Sequence, residues 1–169
     1  MYKSSGYARQ LIVGLMVTLL LTACGFHLRG DVTLAPELSK LYIEGADPYN
    51  PLVRELTRSL TTTGVVVVTE RKDATAILQI LKNSGSRRVL SVSSEGKVSE
   101  YELYQTLEFK VRDAAGRELL APQYLELTRD YLFEKEDVLG KSNEEEILRR
   151  DMHRDLVRLI MLRLEALGR

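Results

Sequence analysis

From Tyr101 to Val111 the side chains alternate: Tyr101, Leu103, Leu107, Phe109 and Val111 fall on odd positions, and Glu100, Glu102, Glu108, Lys110 and Arg112 on even ones. A period of two fits a strand with one buried and one wet face, not a helix, whose apolar residues recur every three or four positions. Gln105 is the polar exception on the inward side. Beyond the turn signal Asp113-Ala114-Ala115-Gly116, the odd positions Leu119, Ala121, Leu125, Leu127, Tyr131 and Phe133 repeat the pattern. The two segments predict a long β-hairpin. Pro122 and Gln123 put its second strand at a sheet edge or at a bulge, because proline has no N–H to give to an interior ladder.

A sheet with one apolar face needs a second layer to cover it. Leu52, Leu56 and Leu60 form a stripe at helical spacing after Asn50-Pro51, where Asn caps and proline at the first helical position loses no bond. This helix should stop near Gly64. A longer stripe, Leu148, Met152, Leu156, Ile160 and Leu164, predicts a last helix opening at Ser142, with Glu145 completing a capping box and Glu144 to Glu146 at the positive end of the dipole. Arg150, Arg154, Arg158 and Arg163 lie largely off that stripe.

Leu38 to Glu44, Val65 to Val68 and Ala76 to Leu81 read as shorter strand segments, the last two interrupted at Glu70-Arg71-Lys72-Asp73. The β-branched run Val65 to Val68 fits a buried position, and the first helix supplies the crossover that sets two strands parallel. Asn83-Ser84-Gly85-Ser86-Arg87-Arg88 reads as a polar turn. The order β-α-β-β-β-α predicts an α+β two-layer sandwich with two helices packed on one face of a four-stranded mixed sheet, leaving the face of Glu100, Glu102, Tyr104, Glu108 and Lys110 open to solvent or to another protein.

The first residues are a separate object. Lys3 and Arg9 precede an apolar or small run from Leu11 to Leu21, followed by Thr22, Ala23 and Cys24. That run is shorter than the roughly 20 residues a helix needs to span a bilayer and ends in small residues, as in a secretory signal. Leu21-Thr22-Ala23-Cys24 resembles the lipobox of bacterial lipoproteins, in which the cysteine is acylated and the chain is cut before it. Two or more acyl chains anchor stably where one does not. Gly25, where inner-membrane lipoproteins carry Asp, points to the outer membrane, periplasmic side. The expected division is a signal peptide at 1–23, a lipidated leader at 24–37 and a single α+β domain at 38–169.

Enzyme chemistry finds little to work with. The chain has one cysteine and two histidines, too few for a disulfide or a structural zinc site. His27 lies in the leader and His153 sits mid-helix between Met152 and Arg154. No phosphate loop, G-x-S-x-G or H-E-x-x-H is present, so no catalytic residue, metal or cofactor is expected beyond covalent lipid on Cys24. Equal numbers of basic and acidic residues, 24 each, argue against nucleic acid as a partner. Arg87 and Arg88 with Lys97, and Lys141 before the last helix, are either solvated loop charges or contacts to phosphate, for which Arg offers a planar fork and Lys a point charge.

Several motifs together resemble one family. Cys24-Gly25-Phe26-His27-Leu28-Arg29 after a lipobox, a helix after Asp47-Pro48, the segment Gly96 to Leu103 with its Glu100-Tyr101 pair, and Lys141-Ser142-Asn143-Glu144 at the last helix are similar to the LptE family of lipopolysaccharide-assembly lipoproteins. The resemblance implies two helices on a four-stranded sheet, seated as a plug inside the large outer-membrane β-barrel LptD, with lipopolysaccharide bound by basic residues at one end. Lys141 corresponds to the lysine before the last helix. At the turn Ser93-Ser94-Glu95-Gly96, where the family can place an arginine, this chain has Ser94 and Glu95, and its nearest cations are Arg87, Arg88 and Lys97. Two other readings compete: a stand-alone periplasmic lipoprotein that binds an amphiphile, which an apolar cavity would favour, and an envelope hydrolase, which a pocket joining His153 to a Ser or carboxylate would favour.

Overall fold

The long hairpin organises the domain. In a computed structural model of the chain, which describes residues 34–133 and 138–168 with the side chains of 138–142 excepted, β4 (Val98–Asp113) pairs antiparallel with β5 (Glu118–Leu132) on one side and with β3 (Ala76–Val92) on the other. β1 (Lys40–Glu44) runs parallel to the start of β3, and β2 (Val66–Val68) runs parallel to β1 at the sheet edge. α1 (Pro51–Thr62) connects β1 to β2, and α2 (Val138–Glu165) closes the chain, with short 3-10 turns at Pro36–Leu38, Arg71–Asp73 and Ala166–Gly168. All these elements belong to one compact unit, Val32–Arg169. Cys24, His27 and the expected signal and leader lie outside the described residues.

The sheet therefore has five strands in the order β2-β1-β3-β4-β5, not the expected four. Val66–Val68 and Ala76–Val92 are separate strands on opposite sides of β1, because the turn at Arg71–Asp73 carries the chain across the end of β1 between them. The valine run is an edge strand: Val65 is buried, while Val66 is exposed. A second correction concerns residues 83–88. They are strand and not turn, paired along β4 from Asn83↔Leu107 to Arg88↔Glu102. Backbone pairing to a strongly patterned neighbour sustains a strand whose own side chains show no alternation.

Two-layer packing follows from the apolar stripes. Leu107, Phe109 and Val111 of β4, Leu78 of β3 and Leu41 of β1 are fully buried against Leu52, Leu56 and Leu60 of α1 and Leu156, Ile160 and Leu164 of α2. Asn50 caps α1 as expected, its Oδ1 accepting from the N–H of Leu52 at 2.9 Å with Pro51 in the first turn. α2 starts four residues earlier than the capping-box pattern predicts, so Ser142 lies within it. Gln105 is buried and donates its amide to Asn83 Oδ1 at 2.8 Å, which satisfies the one polar group on the inward side of β4. The ladder slips between Phe109↔Gln123 and Val111↔Leu120, so the proline-containing stretch of β5 is both an edge and an irregularity, and Leu120 instead of Ala121 sits opposite Val111.

Gly45 follows β1 at a φ of +88°, and a Cβ there would stand 2.2 Å from the carbonyl oxygen of Ile80. Gly116 has a similar φ of +92° with open space around it. Gly45→Ala is expected to destabilise by well over 1 kcal/mol and by clearly more than Gly116→Ala, since both pay for the backbone but only Gly45 meets a neighbour. Urea-unfolding midpoints of the two variants measure the difference; equal losses would contradict the close approach.

Candidate functional site at the distal half of the hairpin

β1 stops opposite Gln79, so the rest of β3 extends with β4 and β5 beyond the other strands. The four cations singled out in the sequence map to this half, and the pleat separates two of them. Arg87 pairs in register with Leu103 and lies on the helix side, whereas Arg88 pairs with Glu102 and lies on the open side.

Arg87 is the centre of a polar cluster under α2. Its Nη1 is 2.8 Å from Glu145 Oε2 and donates to the Tyr131 hydroxyl at 3.4 Å, and its guanidinium lies 4.3 Å from the centroid of the Tyr101 ring. The Tyr131 hydroxyl donates to Glu145 at 2.7 Å, and Arg149 Nε donates to the other carboxylate oxygen at 2.9 Å. Burial pushes the Glu145 carboxyl up, but hydrogen bonds from Tyr131, Arg149 and Arg87 outweigh it and hold the group below the usual carboxylate range. Tyr131 is pushed up by its burial and by its bond to Glu145. A small apolar cluster of Leu103, Tyr131 and Met152, with Tyr101 and Leu148 against it, lies beside this network, and Phe133 packs edge-on to Tyr101 at 5.1 Å. Gly85 makes room for it: a Cβ there would meet Gln105 Oε1 at 2.4 Å and Arg149 at 3.4 Å. Arg87 thus ties β3 to the first third of α2.

The open side carries a second network. Arg88 ion-pairs with Glu102 and sits 5.7 Å from the Tyr104 ring centroid. Tyr104 and Tyr124 both donate to Glu126 Oε2, at 2.6 and 2.8 Å, which lowers the Glu126 carboxyl and pushes the Tyr104 phenol up. The tip is a turn closed by Ser93 N–H donating to Lys97 O at 2.7 Å, with Gly96 at a φ of +71°. Glu95 accepts from the hydroxyls of Ser93 and Ser94, which hold it below its ordinary value. Lys97 is exposed and, among the described residues, makes no ion pair. Lys141 lies inside the first turn of α2, one helical turn before Glu145, and its side chain is outside the described residues. The hairpin thus brings Lys97 to its tip, faces Arg87 and Arg88 in opposite directions, and holds the start of α2 against its helix side.

His153 is half-buried on α2 and lines a small groove between the helices with Arg54, Arg150 and Arg154. Burial, then the charge of Arg149, lowers its pKa. The groove does bring His153 together with a carboxylate, Glu55, but Glu55 is held by Arg58 at 2.9 Å and, among the described residues, no hydrogen bond joins it to His153, so the pair is not arranged as an acid–base couple. Among the described residues no cluster of His, Cys, Asp or Glu could hold a metal, and no helix is long and apolar enough to cross a membrane.

A profile of the family described as LptE, lipopolysaccharide-assembly, matches residues 38–164. The chain belongs to the LptE family. It is 34% identical over 144 residues to the LPS-assembly lipoprotein LptE of Yersinia enterocolitica, covering 84% of this chain and 68% of that one, and 30% identical over 156 residues to that of Pectobacterium atrosepticum, covering 91% and 83%. Among solved structures it is similar to lipoprotein B from Nitrosomonas europaea, with a TM-score of 0.68 at 34% identity over 81% of this chain and 88% of that one. It is also similar to rare lipoprotein B from Shewanella oneidensis, with a TM-score of 0.63 at 32% identity over 73% and 91%. As a member of the LptE family the chain is a non-catalytic lipoprotein of the outer membrane, lipid-anchored and facing the periplasm.

Two substitutions separate the networks. Arg87→Ala should cost about 1 kcal/mol, discounted because the guanidinium is partly exposed, while Arg88→Ala on the open face should lower the melting temperature clearly less. Thermal unfolding of both variants checks this, and equal costs would contradict a tie between sheet and helix. The depressed Glu145 carboxyl contributes stability above its unfolded pKa of about 4.3, lost as pH falls through the lower folded value. The stability difference between the native chain and Glu145→Gln should therefore be full near pH 6 and shrink below about pH 4.3. A constant gap would contradict the assignment.

Proposed function

We propose that this chain is the lipid-tethered partner of the outer-membrane β-barrel LptD, that it supports assembly of the barrel and plugs its lumen, and that it helps to deliver lipopolysaccharide to the outer leaflet. The observation that carries the reading is the family match over residues 38–164. The tether is the acylated thiol of Cys24, in line with the lipobox Leu21-Thr22-Ala23-Cys24. A plug must offer polar surface to the polar interior of a large barrel, and the open sheet face does so with Arg88, Glu102, Tyr104, Tyr124 and Glu126 joined in one network.

Lipopolysaccharide contact belongs, on this reading, to the distal end. Lys97 offers a cation at the tip that makes no ion pair among the described residues, and Lys141 stands in the first turn of α2. Arg88 is engaged by Glu102 on the open face and is a secondary contact, and Arg87 acts by holding α2 against the hairpin. A lysine presents a compact charge with three donors, suited to phosphate oxygens.

Co-purification from outer membranes tests the partnership: the lipidated chain should retain LptD through detergent extraction, and a Cys24→Ala form should leave the outer-membrane fraction. Lys97→Glu combined with Lys141→Glu should weaken lipopolysaccharide binding about tenfold or more with an unchanged melting temperature, since each charge-assisted contact is of the order of 1.5–3 kcal/mol. Unchanged binding would remove both lysines from the site.

A further inference from the structure

At the opposite half of the molecule, where β1 and β2 end, α1 and the sheet edge diverge and leave an apolar cavity of about 550 Å³. Its cause is local. β2 has three residues and ends at Val68, so nothing continues the sheet beside Ile43, and the following loop contributes only Gly45, Ala46 and Pro48 to the wall. Val53 and Thr57, one turn apart on α1, line the inside, and Arg54 and Arg58, the next residues round the helix, stand beside them. The volume falls within the range of sites that hold small organic ligands.

Charge decides what kind of ligand fits. The lining contains two guanidinium groups and no carboxylate. Arg58 pairs with Glu55 at 2.9 Å, but Arg54 makes no ion pair among the described residues. Arg54 also lines the neighbouring groove, where Arg150 and Arg154 are paired with Glu146 and Asp151, so Arg54 keeps its charge free for a ligand. The nearest strand carboxylate, Glu44, is taken by Arg112 at 2.7 Å and Arg71 at 3.1 Å. An apolar wall beneath one guanidinium without an ion pair among the described residues, with a second beside it that shares its carboxylate with solvent, matches a molecule with one hydrocarbon chain and one anionic head.

We propose that this cavity is a binding site for a single-chain anionic amphiphile, its acyl tail against Ile43, Val53 and Val67 and its carboxylate or phosphate on Arg54 and Arg58. The site is separate from the distal cations: Lys97 lies beyond the end of a β3 that runs thirteen residues past its last pairing with β1, roughly 40 Å of strand at 3.3 Å per residue.

The full chain in neutral maltoside detergent would be irradiated with a dodecyl phosphate carrying a diazirine at its tail end, and labelled peptides mapped by mass spectrometry. The expected label is confined to residues 42–48, 53–58 and 66–69, competed by laurate but not by inorganic phosphate. A trimethylammonium probe with the same tail should label poorly. Arg54→Glu with Arg58→Glu should reduce labelling about tenfold or more, Val68→Trp should reduce it by filling the cavity, and the paired lysine substitutions should retain most of it, each with an unchanged circular dichroism spectrum. Label concentrated elsewhere, such as the exposed Val89, Leu90 and Val92, equal labelling by the cationic probe, or labelling that survives both the charge reversal and the tryptophan would overturn the proposal.

Discussion

Burial of the odd-numbered face of β4 is the constraint on which the rest of the domain depends. Leu107, Phe109 and Val111 are removed from water by two helices at once, and every other strand is placed by pairing outward from β4. Each such side chain contributes about 1.5–3 kcal/mol of transfer free energy, whereas a helix of twelve residues is marginal alone in water. The helices are stable because they cover this face. The same logic limits the core: its large cluster reaches along β4 only as far as Leu107, and the cluster around Leu103 is small.

Where the apolar core thins, polar chemistry replaces it. Arg87, Tyr131, Glu145 and Arg149 form a closed set of charge-assisted hydrogen bonds that keeps α2 on the hairpin. The clamp fixes how the helix turn bearing Lys141 stands relative to the strand leading to Lys97. The sandwich is a holder for a projecting ribbon, with one face mostly polar apart from exposed Val92 and Leu132 towards the tip and one face braced by helix.

The elements with strong periodicity were legible in the sequence. Alternation located β4 and most of β5, Asn50-Pro51 located the start of α1, and the leucine stripes located both helices. What was not legible lacks a side-chain signature. Residues 83–88 are polar and hold their strand through backbone bonds to β4, so they resemble a turn, and the length of β3 was missed with them. The separation of β2 from β3 is a matter of which side of β1 each joins, which a three-residue strand cannot announce. For the site, the adjacent pair Arg87-Arg88 looked like one basic spot; had the segment been read as strand, period two would have sent them to opposite faces. The partnership of Glu145 was hidden because its spacing from Ser142 also fits a capping box. The cavity under α1 left no trace, since it arises from an edge strand that stops early.

The central claim is that this chain works with its polar sheet face against the inner wall of a barrel. Photocrosslinking in intact cells from an unnatural amino acid at Tyr124, an exposed position on that face, tests it most directly. The account predicts an adduct of the summed mass of this chain and LptD. An outer-membrane chain that folds, reaches its membrane and yields no LptD adduct from Tyr124 or from neighbouring Arg88 would contradict it.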